Sequence, residues 1–296
     1  MSWDRVRRVV IAVVAVLAAA PAAAQASNVT VTNTNDSGSG SLRAAIATPG
    51  VTTVDFAPGL TGTITLTSGV LSITQSVTIT GPGAGSIAID GNHSTTVFDI
   101  APSATNQDVT ISGLTIKNGS ATTNGGGILA AGSLRSLTLT GDTITGNQVT
   151  LGPTSAGGGG GVYVNGADLV VTDSTIDGNA VTVTGSASNA SGGGGIYSDG
   201  GAITISGSDV SHNTVDQASS SGNGGGGGIY ANGGAVELDT STVLANSAHI
   251  TSDSGGDNGG GGVHSESGGV ALSSSKVDGN SFTLGSSPGG DNGGGG

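Results

Sequence analysis

From residue 125 to 296 the chain keeps one register and repeats it. Ile128, Val162, Ile196, Ile229 and Val263 each follow a run of glycines, at steps of 34, 34, 33 and 34 residues. After each comes an apolar pair split by one residue: Leu137/Leu139, Leu169/Val171, Ile203/Ile205, Val236/Leu238 and Val270/Leu272. Five residues beyond the pair stands an aliphatic residue: Ile144, Ile176, Val210, Val243 or Val277. Three further on stands an asparagine every time: Asn147, Asn179, Asn213, Asn246 and Asn280.

Self-similarity at a step of roughly 20–50 residues marks a solenoid, propeller or array. Within each unit the apolar residues alternate, as in Ile203-Thr204-Ile205, which is the period of a strand with one buried face. The runs are β-branched or rich in Thr, and Gly, Asn, Asp and Ser separate them. Each unit therefore reads as three short strands joined by turns. Strands this short bury a core only by stacking like residue on like residue. The expected fold is all-β, a right-handed parallel β-helix of about 34 residues per coil in the C-terminal half. A propeller needs four strands per blade and about 40 or more residues, so it fits less well. An asparagine at one turn of every coil can bond its amide to the copies above and below. The five asparagines are accordingly read as a structural ladder.

A thin core of Ile, Val and Leu explains why 2% of the residues are aromatic and 9% charged, while 58 are Gly. Cysteine is absent, which excludes disulfides, thiolate metal sites and a lipoprotein anchor. Residues 1–26 read as a signal peptide: Arg5, Arg7 and Arg8, then the apolar Val9–Ala20, then Ala24-Gln25-Ala26 as a small-x-small cleavage pattern. The apolar run is short for a membrane span, although an uncleaved anchor is the alternative. Arg7-Arg8 offers a weak twin-arginine pattern. Without residues 1–26 the chain carries 4 basic and 19 acidic residues, a net charge of −15. That argues against nucleic acid and anionic membranes as partners, and less strongly against polyanionic sugars. No apolar stretch of the mature chain reaches membrane length, so no span is expected there.

Residues 27–50 read as an N-terminal strand followed by a capping helix. Ser41 is placed to cap Leu42–Ile46, with Leu42, Ala45 and Ile46 on one face. Residues 51–124 read as less regular coils with inward pairs Val54/Phe56, Ile64/Leu66, Leu71/Ile73, Val77/Ile79 and Ile87/Ile89. Phe98/Ile100, Val109/Ile111 and Ile116 join the later register. Residues 125–296 are five regular repeats, and the sequence stops where a sixth Ile/Val is due, so the chain reads as truncated. The Gly/Ser-rich stretches 152–161, 185–195, 218–228, 251–262 and 285–296 fall at one point of the repeat. They are expected as flexible loops along one edge.

The run from Val31 to Ile46, VTNTNDSGSGSLRAAI, resembles the N-terminal signature of a family of bacterial secreted β-helix proteins that carry a C-S-L-R-E-A-like motif. Asp55–Leu66 and the Gly-Gly-Gly-Ile-Tyr units are similar too, so the likeness covers nearly all of the mature chain. Gly40 stands in place of the motif's Cys and Ala44 in place of its Glu. The resemblance implies a right-handed parallel β-helix outside the cell or on its surface, and it implies no catalytic residues.

Three kinds of site are weighed. As an enzyme, a β-helix acting on polysaccharide needs a carboxylate cluster with a basic residue, or two carboxylates across one bond. Asp142, Asp173 and Asp177, on neighbouring coils, are the best candidates, with solvated turn carboxylates as the plainer reading. The basic residues Arg43, Lys117, Arg135 and Lys276 lack paired carboxylates in flanking coils. For metal, Gly255-Gly256-Asp257-Asn258-Gly259 and Gly289-Gly290-Asp291-Asn292-Gly293 do not match the calcium nonapeptide, and Asp253 with Asp257 is the pair considered. His93, His212, His249 and His264 share no ligand-like spacing. No metal site and no cofactor are expected. The third feature is aromatic. Tyr163, Tyr197 and Tyr230 all directly follow the aligned Ile/Val, with Leu129 and His264 in the same column. If the Ile/Val points inward, alternation sends the rings outward. They are expected as an exposed strip that binds a glycan or a surface protein, with ring-on-ring stacking as the plainer reading. The sequence thus reads as a secreted or cell-surface structural or adhesive module. The alternative is a carbohydrate-active enzyme on a neutral polysaccharide.

Overall fold

The computed structural model describes residues 27–152, 157–187, 191–220, 224–251 and 258–285. They form five parallel sheets wound into a β-helix, each strand lying beside its equivalents one coil before and one coil after. The coil that begins at Val162 shows the plan. Val162–Asn165 lies in a front sheet, Asp168–Thr172 in a long sheet of nine strands, and Thr175–Asp177 in a sheet of three- and four-residue strands. Ala180–Ala187 then runs out into an outer sheet, and Ser191–Gly192 returns through a narrow glycine sheet to Ile196.

The repeat register is the stacking register. Ile128 pairs with Val162, Val162 with Ile196, Ile196 with Ile229 and Ile229 with Val263. The inward pairs of residues 51–116 are all buried, and with their later equivalents they form one continuous core from Val31 to Val243. Burying one such aliphatic side chain contributes about 1.5–3 kcal/mol, so a thin core suffices when every coil adds to it. The last described coil keeps the register, but its pair Val270 and Leu272 is 42% and 51% exposed.

Three strands per coil, as expected, hold for residues 51–117, and there the step is as short as 25 residues, from Val54 to Ile79. Beyond Ser120 the expectation fails, because one coil adds a single strand, Ser120–Ala121, the next four add two each, and the step rises to 34 residues, from Val171 to Ile205. The Gly/Ser stretches, expected as flexible edge loops, supply much of this addition. Gly157–Gly158, Ser191–Gly192, Gly224–Gly225 and Asn258–Gly259 pair as the glycine sheet. Together with the outer sheet they make a lobe with its own apolar cluster, in which Val149, Leu151, Val181, Val183, Val215 and Ala248 are buried. Glycine is required at the neck of this lobe. A Cβ on Gly160 would lie 2.5 Å from the carbonyl oxygens of both Ala180 and Gly194. Residues 286–296 lie outside the described set.

The turns out of the long sheet pass through a left-handed residue in every coil from Gly113 onward, among them Gly141, Asp173 and Gly207. A second left-handed column, which includes Gly146, Gly178 and His212, stands immediately before the ladder asparagines.

At the N-terminal end, Ser27–Val31 opens the long sheet by pairing with Val51–Phe56. The helix Leu42–Ile46 follows, with Ser41 Oγ accepting from Ala44 N at 3.2 Å and Leu42, Ala45 and Ile46 buried. It covers the first coil, as a terminal cap must. Arg43 reaches over the surface to fasten this cap. Its guanidinium donates to Asp36 Oδ1 and to the carbonyls of Gly69 and Val70. Asp36 Oδ2 accepts from the amides of Thr67 and Ser68. Burial alone would raise the Asp36 carboxyl, yet Arg43 and these donors hold it well below the usual carboxylate range. Gly40 has φ +76°, and a Cβ there would stand 2.2 Å from Thr32 Oγ1. A cysteine at this position would not keep this backbone.

Candidate functional site

The tyrosine column is buried, contrary to the exposed strip expected from alternation. Tyr163, Tyr197 and Tyr230 are 6%, 3% and 0% exposed. They do point away from the core, but the lobe lies over them. Gly192 of the glycine sheet sits so close that a Cβ on it would meet Tyr230 Cδ2 at 2.6 Å. The rings stack on one another at centroid separations of 5.3 Å and 4.9 Å, and His264 continues the stack 4.9 Å from Tyr230. Their hydroxyls meet a polar column at the ends of the front strands. Tyr163 bonds the Asn165 side chain, Tyr197 that of Asn232, and Tyr230 donates to Glu266 Oε1. Burial, reinforced by the Asp199 carboxylate, pushes the Tyr163 and Tyr197 phenols above their ordinary value. A column enclosed in this way has no face for a glycan.

The carboxylates proposed as a catalytic cluster are not equivalent. Asp142 is 1% exposed, with Oδ1 accepting from Leu114 N at 2.8 Å and Oδ2 from Thr140 N at 3.1 Å. It heads a ladder that sequence reasoning missed. Asp142 N donates to Ser174 Oγ, Ser174 N to Ser208 Oγ, Ser208 N to Ser241 Oγ and Ser241 N to Ser275 Oγ, at 3.0–3.1 Å. The signal was present: these five residues stand five places before the five asparagines. Asp173, exposed and left-handed at φ 49°, occupies the turn position that Gly141 and Gly207 hold in neighbouring coils. Asp177 ends a strand and lies 2.8 Å from His212 Nδ1. With Asp142 sealed in a ladder, the three cannot flank a substrate bond, and the catalytic assignment is withdrawn.

The asparagines form the expected ladder. Asn147 Nδ2 donates to Asn179 Oδ1, Asn179 to Asn213, Asn213 to Asn246 and Asn246 to Asn280, at 2.9–3.0 Å. The Oδ1 atoms of Asn179, Asn213, Asn246 and Asn280 also accept the backbone amide of the preceding asparagine, and Asn147 Oδ1 accepts from Gly119 N. Each Nδ2 also reaches the carbonyl of an inward aliphatic one coil back, such as Ile176 from Asn213. The side chains fill the neck of the lobe against the glycine run, 3.0 Å from where a Cβ on Gly195 would sit.

The described surface opens into a cleft at the N-terminal end of the tyrosine column. Front-sheet register sets Tyr163 beside Leu129, and Leu129 beside Asp99. Leu129 packs against the tyrosine cluster. There the slot that rings fill in later coils holds only shorter side chains, and about 360 Å³ is left open. Val70, Ala121 and Leu129 supply apolar surface, and Thr95, Thr122, Thr123 and Asp99 are among the polar residues around it. The Asp99 side chain has no hydrogen-bond partner among the described residues, and burial pushes its carboxyl up. Sequence reasoning missed this site because its residues share no motif. They are brought together by the register and by the point at which the outer sheet begins, Ser120–Ala121.

Asp253 and Asp257 lie outside the described residues. Among the described residues no three His, Asp or Glu converge to hold a metal ion, and no helix is long and apolar enough to cross a membrane. No protein-family model matches the chain, and neither a curated protein nor a solved structure does.

Proposed function

We propose that this protein is a structural or adhesive β-helix module, secreted or displayed at a cell surface, that holds a glycan or a partner protein. The observation that carries this reading is the use made of the polar groups at the turns. Asn147–Asn280 and the column headed by Asp142 spend their hydrogen bonds between coils. These side chains build a continuous scaffold, and the best carboxylate candidate for catalysis is one of them. The signal-like residues 1–26 and the resemblance of Val31–Ile46 to a bacterial extracellular β-helix family support the setting. The excess of acidic residues favours neutral over anionic sugars.

The test is retention of the protein on immobilised neutral polysaccharides and on cell surfaces, with released reducing ends measured in parallel. Retention without release is the expected result. Release of new ends would replace the module with an enzyme, and failure to be retained on any surface would remove the reading.

A further inference from the structure

In three successive coils one flat ring occupies the slot between the front sheet and the lobe, and ring packs on ring. One coil earlier the position belongs to Leu129, and one before that to Asp99. The chain supplies no ring at either, so the slot continues as an open cleft whose inner wall is Leu129 against the tyrosine cluster. Its volume of about 360 Å³ falls in the range of small-ligand sites, roughly 300–1,000 Å³.

We infer that this cleft binds one end of a neutral saccharide, with a sugar ring face over Leu129 and ring hydroxyls donated to the Asp99 carboxylate. The inference rests on the glycan-binding reading above and gives it a site. The lining selects the ligand class. A half-buried carboxylate accepts but does not donate, so it calls for hydroxyl or N–H donors. Thr95, Thr122 and Thr123 have no side-chain hydrogen bond among the described residues, and each hydroxyl both donates and accepts. A sugar carries several hydroxyls on a ring with apolar C–H faces and meets both demands. A phenol, the group that fills the slot in later coils, brings one hydroxyl and leaves most of the lining unpaired. An anionic sugar would meet Asp99 and a strongly acidic chain.

Two substitutions probe the cleft. Leu129→Tyr extends the column into the open slot, and the next three coils show that this register position accepts tyrosine. Asp99→Asn keeps the shape and removes the charge. The full chain is exposed to methyl glucoside, methyl galactoside, methyl mannoside, cellobiose and di-N-acetylchitobiose, with saturation transfer to the sugar observed by NMR. Circular dichroism checks each variant's fold. Transfer to at least one saccharide is expected in the wild type, with loss in Leu129→Tyr and binding weakened tenfold or more in Asp99→Asn. The inference is overturned if no saccharide responds, if folded Leu129→Tyr binds undiminished, or if Asp99→Asn does so. It is also overturned if p-cresol binds where no saccharide does. Wild-type retention on a glycan surface that persists in Leu129→Tyr removes the cleft and leaves the module standing. A wild-type protein retained on no surface removes the module itself.

Discussion

At Asp142, burial and hydrogen bonding act in opposite directions. Burial pushes the carboxyl up to about 7, against the amides of Leu114 and Thr140, which favour the anion. An unfolded aspartate ionises near 3.9, so between about pH 4 and pH 7 the folded chain holds a proton that the unfolded chain has released. The resulting stability is fully present below about pH 4 and is lost as pH rises toward 7. Asp142→Ser, which gives this coil the residue of the next four, should abolish that dependence. Urea unfolding of both proteins from pH 4.5 to 8 should show the variant gaining on the wild type as pH rises, by up to a few kcal/mol at about 1.4 kcal/mol per pKa unit. A constant difference would mean that Asp142 stays ionised throughout. The residue was visible in the sequence as a candidate, but its role was not. Carboxylate and serine hydroxyl look unrelated until both are seen receiving a backbone amide from the coil before.

At the scale of the element, the asparagine ladder was legible because one residue type recurs at one offset, and only a stacked turn makes such recurrence useful. Asn213 sits mid-ladder, accepting from Asn179 N and Nδ2 and donating to Ile176 O and Asn246 Oδ1. Asn213→Ala would take these partners from Asn179 N and Ile176 O, while Asn179 Nδ2 keeps Ile144 O and Asn246 Oδ1 keeps the residue 213 amide, at about 1–3 kcal/mol for each group left unpaired that water cannot reach. A loss of about 3–5 kcal/mol is therefore expected, read as a lower urea midpoint at unchanged slope. A loss below about 1 kcal/mol would show that water enters the neck of the lobe. The left-handed turn columns were harder to see, since Gly, Asp, Thr, Ser, His and Ala share them. There the conformation is common to the coils and the residue type is not.

For the whole molecule, the core was legible and the lobe was not. Alternation assigned the inward pairs correctly because a strand has two faces and the apolar one is buried. The same rule pointed the tyrosines away from the core, which is right, and left them exposed, which is wrong. Alternation describes one sheet and carries no information about a second layer laid over it. That layer is built from Gly/Ser stretches whose composition reads as loop, although their glycines serve backbone-on-backbone contact, as at Gly160 and Gly192. The Asp99 cleft was hidden for the same reason, because it is the gap left where the layer begins.

Stacked coils with an enclosing lobe make a direct demand on the tyrosines. Residues 27–296 contain three tyrosines, and all three are in the buried stack. The single tryptophan, Trp3, does not titrate, so the near-ultraviolet absorbance change on raising pH reports tyrosine ionisation alone. Spectrophotometric titration of the folded protein should show the Tyr163 and Tyr197 part of the absorbance change missing near pH 10, the ordinary tyrosine value. In denaturant all three should titrate there. Full, reversible ionisation of the folded protein near pH 10, with circular dichroism unchanged, would show the rings open to water and contradict the enclosed column.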